Sequence, residues 1–157
     1  MTSSKRNLIL SGVGTAAAIA IAIAIPLTPS SQATTPTTFQ TTEIAVQMVG
    51  AQETQPADLN GIGDARFFAN TSDPAALCYV LIVDRIRPAT AAHIHPGAVG
   101  VANPPVVELR APTDGDSAAC VQVRERLLAR ILNNPQNFYV NVHNTRFPDG
   151  AIRGQLG

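Results

Sequence analysis

"LCYVLIVDRI", residues 77–86, runs from Leu77 to Val83 without a charged side chain. Successive residues of a strand point to opposite faces, so Leu77, Tyr79, Leu81 and Val83 form one row and Cys78, Val80 and Ile82 the other. Both rows are apolar. A strand of that kind is expected to be central and covered on both faces, and the fold is read as β from there outward.

Upstream, "FQTTEIAVQM" (39–48) and "GIGDARFF" (61–68) are β-rich and flank the turn-like "GAQETQP" (50–56). Downstream, "AAHIH" (91–95) and "PVVELRA" (105–111) read as short strands on either side of "PGAVGVANP" (96–104), a loop too rich in Gly, Pro and Asn to be helical. Gly97 and Gly100 there supply turn dihedrals; no helix follows that would make them a phosphate cradle. "APTDGDSAA" (111–119) is a polar, turn-rich connection. "NFYVNVHN" (137–144) alternates Phe138, Val140 and Val142 against Tyr139, Asn141 and His143, and "AIRGQLG" (151–157) is the closing strand.

One segment breaks this pattern. In "VQVRERLLARILNNP" (121–135), Val123, Leu127, Leu128, Ile131 and Leu132 recur at helical spacing, and Arg124, Arg126 and Arg130 fall between them as a solvated face. The helix is expected to end before Pro135. About seven strands and one late helix predict an all-β domain, a two-sheet antiparallel Greek-key-like sandwich with one short inserted helix.

The N-terminus has a different purpose. Lys5 and Arg6 precede an apolar run from Leu8 to Leu27, and "SSQA" offers small residues for a cut after Ala33. That is the layout of a secretory signal, residues 1–33. "SSKRNLIL" is also loosely similar to a twin-arginine export signal. The run is longer than usual for a cleaved signal, which leaves retention as a membrane anchor open. Residues 34–38, "TTPTT", are a Thr/Pro linker, and the domain proper spans 39–157. The chain is expected to be secreted, or held in the periplasm or cell envelope of a bacterium.

Loss of residues 1–33 leaves nine arginines against 11 acidic residues, with no lysine and no basic cluster. Nucleic acid and anionic membrane are thereby excluded as partners, unless the N-terminal segment stays as an anchor. With no Trp in the chain, stacking platforms for bases or sugars are also absent. Cys78 and Cys120 lack the C-x-x-C spacing of a redox or metal site, and export favours their pairing as a disulfide.

His93 and His95 stand one residue apart and project together, about 7 Å apart at the backbone, with Ile94 turned to the core. His143, the third and last histidine, lies by parity on the same side of its strand as Tyr139 and Asn141. If the two strands are neighbours, three imidazoles with an open position suit zinc or copper. Otherwise each ring is a structural group that donates to a backbone carbonyl and pins the 96–105 loop. Catalysis has no support, because Glu108 and Asp149 sit in no recognisable motif with a nucleophile or acid partner. Arg153 reads as a strand-surface ion pair or, unpaired, as a ligand contact.

Taken together, "TAAHIHPGAVG", "PPVVEL", "NPQNFYVNVHNTRFPDG" and "AIRGQL" resemble the chordin-type (CHRD) domain of secreted bacterial proteins and of the animal signalling antagonist chordin. The likeness runs from about Phe39 to Gly157. The family pattern carries over to His93, His95, Gly97, Tyr139, Asn141, Val142, His143, Arg153, Gly154 and Gln155. Its last motif usually reads G-E-I-R-G-Q-L, whereas Ala151 stands here in place of the Glu, so no role of that carboxylate transfers. The resemblance implies an extracellular all-β module without enzymatic activity, binding an unknown protein or envelope polymer; the metal-binding alternative rests on the three histidines.

Overall fold

A computed structural model describes residues 43–70 and 72–157; the expected export signal and Thr/Pro linker lie outside the described residues. Eight strands form: β1 (Glu43–Val49), β2 (Ile62–Ala69), β3 (Ala76–Asp84), β4 (Ala89–Pro96), β5 (Val107–Leu109), β6 (Asp116–Gln122), β7 (Phe138–Asn144) and β8 (Ile152–Gln155). The helix α1 covers Glu125–Asn133 and stops before Pro135, as its spacing predicts. Among the described residues no helix is long and apolar enough to cross a membrane.

The strands make one antiparallel sheet in the order β5-β4-β7-β8-β1-β2-β3-β6. The two separate sheets expected from the turn spacing are not seen: the ladder is continuous, though its seam between β8 and β1 is a single bridge, Val49 opposite Arg153. There β8 lies so close to β1 that a Cβ on Gly154 would overlap Val46. The sheet curls nearly into a barrel. Its two edges are tied by side chains, since the Arg110 N–H, just past β5, donates to the Tyr79 hydroxyl (2.7 Å), and Ser117 Oγ on β6 donates to the Arg110 carbonyl (2.8 Å).

The alternating pattern of each strand then dictates the core. Ile44, Val46 and Met48 of β1, Ala65 and Phe67 of β2, Ile94 of β4, and Val140 and Val142 of β7 all point into it, joined by Leu128 and Ile131 of α1. The core excludes water because these strands each give it an apolar row.

Two expectations need correction. First, β3 is not central and is covered on one face only. Its Leu77, Tyr79 and Leu81 are buried, but it stands second from the sheet's end and its other row looks outward, with Ile82 53% exposed. Second, the connection read over 111–119 contains the start of β6, an eighth strand. Because β6 is an edge strand with alternate residues in solvent, its sequence "DSAACVQ" lacks the apolar row that marks an inner strand. Cys78 and Cys120 face each other across β3 and β6 and form a disulfide.

Candidate metal centre

Register assembles the site. β4 pairs with β7, placing His93 opposite Asn141, His95 opposite Tyr139 and Ala91 opposite His143. On the far side of β7, Asn141 is opposite Arg153 and Tyr139 opposite Gln155 of β8, while His93 meets Glu108 of β5. Side chains directly across a ladder share a face, so His93, His95, Tyr139, Asn141, His143, Arg153 and Gln155 form one polar surface. Ile94, Val140 and Val142 point the opposite way into the core.

This polar surface is not open to solvent. Every residue of β7 is buried, including Asn141 (2% exposed) and His143 (9%). The 96–104 loop covers it on one side. Gly97 and Gly100 have φ of 150° and 78°, conformations that favour glycine, and they bend the loop back over β7. The loop is then fastened from beneath by Arg153, which donates to the carbonyls of Val101 (2.9 Å) and Ala98 (3.0 Å), and by Gln155, whose amide donates to the Gly97 carbonyl (2.7 Å).

Arg153 is therefore a buried cation (1% exposed) rather than a strand-surface ion pair. Its guanidinium lies 3.4 Å from the Tyr139 ring centroid, and the His95 imidazole is stacked with the same tyrosine at 4.7 Å and 4°. Burial lowers the Arg153 pKa, opposed by Tyr139 and Glu53. Cation–π contact offsets part of the cost of removing the charge from water.

One nitrogen from each of His93, His95 and His143 falls within 4.8 Å of the other two. His93 Nδ1 is 3.0 Å from His143 Nε2. The outward nitrogens each face an oxygen: His95 Nδ1 lies 2.6 Å from the Asn103 carbonyl, His143 Nδ1 2.9 Å from the Pro148 carbonyl, and His93 Nε2 3.7 Å from the exposed Glu108 carboxylate. A neutral imidazole has one N–H, and the Asn103 and Pro148 carbonyls accept it from His95 and His143. The inward Nε2 atoms of those two rings are left as lone pairs, which is how outer partners orient histidine ligands.

Burial holds the pKa of His95 below the usual histidine range, against the Asn103 carbonyl and Asn141. It lowers that of His143 as well, and the neighbouring histidines add to the effect while the Pro148 carbonyl opposes it. Both rings therefore favour the neutral, ligating form. A cavity of about 390 Å³ opens beside them, lined by Glu53, His95, Asn103, Tyr139, Asn141 and Asp149. Glu53, pushed up to about 6 mainly by burial, with Arg153 and Asn141 pulling the other way, is a site residue that sequence reasoning missed.

The structure thus brings together His93, His95, Tyr139, Asn141, His143 and Arg153, while Gly97 shapes the covering loop. Cys78 and Cys120 pair on β3 and β6. No curated protein and no solved structure matches the chain. The model of the CHRD domain matches residues 44–156, most of the chain and all eight strands of the sheet but the first residue of β1, and the chain belongs to the CHRD domain family.

Proposed function

We propose that this CHRD domain is a non-enzymatic binding module outside the cytoplasm whose ligand is a copper or zinc ion held by His93, His95 and His143. The observation that carries the reading is the convergence of the three rings on one point. His95 and His143 each turn Nδ1 to a backbone carbonyl and the other nitrogen toward the shared centre, where His93 Nδ1 also lies. Three convergent neutral imidazoles suit zinc and copper. The export layout of residues 1–33 supports a place where such an ion would be met outside the cell or in its envelope.

The test is titration of the full chain with Zn(II) and Cu(II) at about pH 7.5 and about pH 5, since protons compete with metal for imidazole. One equivalent bound at the higher pH, released at the lower and lost in His143→Ala, is the expected result. A chain that takes up no stoichiometric metal at either pH refutes the reading.

A second reading, docking on a protein or envelope polymer, draws on Val99 (76% exposed) and Val101 (43%) of the loop above the site. Isolated exposed valines are ordinary, which is why the metal reading ranks first. Val99→Ser would weaken such docking and leave metal uptake untouched.

A further inference from the structure

We propose that Asn141 Oδ1 is the fourth donor of this centre and that Glu53 orients it, giving three imidazole nitrogens and one amide oxygen, a set that holds divalent ions in preference to Cu(I). The proposal rests on the three-histidine reading and deepens it by naming the ion class.

Asn141 sits in the middle of β7, and its Oδ1 lies 3.0 Å from His95 Nε2 and 3.0 Å from His143 Nε2. The Nδ1 atoms of both rings face backbone carbonyls at 2.6 and 2.9 Å. Those carbonyls take the single N–H of each neutral ring, so both Nε2 atoms carry lone pairs. An oxygen lone pair therefore faces two nitrogen lone pairs. Protonating both rings instead would set two like charges side by side under cover. A cation between the three atoms turns the repulsion into coordination.

Geometry agrees. Ligand atoms around a tetrahedral ion with bonds of about 2.0–2.1 Å are spaced about 3.4 Å apart. The separations from His93 Nδ1 to His143 Nε2, from His143 Nε2 to Asn141 Oδ1 and from His95 Nε2 to Asn141 Oδ1 are each 3.0 Å. The three histidine nitrogens all lie within 4.8 Å of one another, and a small adjustment of these side chains admits the ion.

The amide needs a reason to present its oxygen. Glu53 lines the same cavity as Asn141, whose side chain favours the charged form of the carboxylate. An ionised carboxylate only accepts, so it draws the NH₂ end toward itself and turns Oδ1 to the histidines. The carboxylate is itself seated against Gly150, where any Cβ would overlap it. Glu53 is accordingly a positioning residue and Asn141 a ligand. Hard amide oxygen suits Zn(II) and Cu(II), whereas Cu(I) gains little from it.

The test measures Zn(II) and Cu(I) affinity by chelator competition in the full chain and in Asn141→Ala, Asn141→Asp, Glu53→Gln and Glu53→Gln/Asn141→Asp, with thermal unfolding as the folding control. Asn141→Ala is expected to weaken Zn(II) by about tenfold to a hundredfold, and Cu(I) by less than about threefold. Asn141→Asp should hold Zn(II) at least as tightly as the parent, because either end of a carboxylate offers oxygen. Glu53→Gln should weaken Zn(II) severalfold, and adding Asn141→Asp should restore it, a rescue that a purely structural Glu53 would not show. Unchanged Zn(II) affinity in Asn141→Ala, or an Asn141→Asp chain as weak as Asn141→Ala, overturns the fourth donor alone. A parent chain that binds no ion overturns the three-histidine reading with it. Should Asn141→Ala not fold, the half-buried Glu53 pair decides by presence or absence of the rescue.

Discussion

β3 and β7 exchange the roles that their sequences suggest. β3 is apolar on both rows, yet its outer row leaves Ile82 53% exposed. β7 alternates apolar with polar residues, yet all seven of its positions are buried. Alternation reports the chemistry of two faces and says nothing of what covers them. β3 sits beside an edge strand with Ile82 of its outer row open to solvent, and a disulfide ties it to that strand. β7 lies between β4 and β8, and a loop anchored by a buried arginine closes over its polar row. Burying polar groups costs free energy unless they are satisfied, so a covered polar face marks the part of the sheet organised around a site.

The largest effect should come from cutting what holds the outer row of β3. Cys78→Ala/Cys120→Ala opens a loop with a sequence separation of 42 residues, which costs about 4 kcal/mol in the chain-entropy model. Urea unfolding should register that loss, with metal affinity nearly unchanged, because the tie is remote from β7. On β7's side, Arg153→Met strips the Ala98 and Val101 carbonyls of their donor and leaves Glu53 without its opposing charge. The expected cost is about 3 kcal/mol, accompanied by faster proteolysis within 97–103. Next comes Val142→Thr, which places a hydroxyl without a partner at a position that is 0% exposed and should cost about 1–3 kcal/mol.

How far the sequence reveals this contrast depends on the range of the interaction involved. Strand parity is local, and it places His93 and His95 on one side with Ile94 in the core, and His143 beside Asn141. Adjacency of β4 and β7 is tertiary: His93 and His143 are 50 residues apart, and nothing in either segment names its neighbour. Edge strand β6 is masked by its small, polar composition, and its one signal is Cys120, which lies opposite Cys78. Glu53 belongs to a turn where a carboxylate is unremarkable until the turn folds beside Asn141. The carbonyls of Asn103 and Pro148, which set the histidine tautomers, have no signature in the sequence because every residue carries one. Arg153 misleads for a related reason: a cation on a strand reads as surface unless the loop carbonyls that claim it are in view.

A smaller effect tests whether the cover over β7 acts on protons. Burial depresses His95 and His143, so their contribution to stability is fully present above the ordinary histidine pKa of about 6.5 and is lost as pH falls from there toward their lower folded values. Glu53 works in the opposite direction. Its pKa is raised from 4.5 to about 6, so its contribution is present below pH 4.5 and is lost as pH rises through about 6. In chelator, the parent chain should weaken on acidification below about pH 6.5, with Glu53 offsetting part of the loss. Glu53→Gln should make that acid slope steeper. A slope made shallower by Glu53→Gln would contradict this balance of groups.

The smallest effect is the most direct check on the comparison. Ile82→Thr makes an apolar-to-polar change like that of Val142→Thr, but on the outer row of β3, where the new hydroxyl meets water. Threonine suits a strand as well as isoleucine does, and little apolar area is removed from cover at a residue 53% exposed. The change in unfolding free energy should stay within about 0.5 kcal/mol. The two threonines thus contrast a core-facing position of β7 with an outward-facing position of β3. Equal costs at 82 and 142 would mean that the outer row of β3 is shielded after all, by a second copy of the chain or by a partner. Repeating the measurement across a dilution series would then separate those two, because only self-association fades with protein concentration.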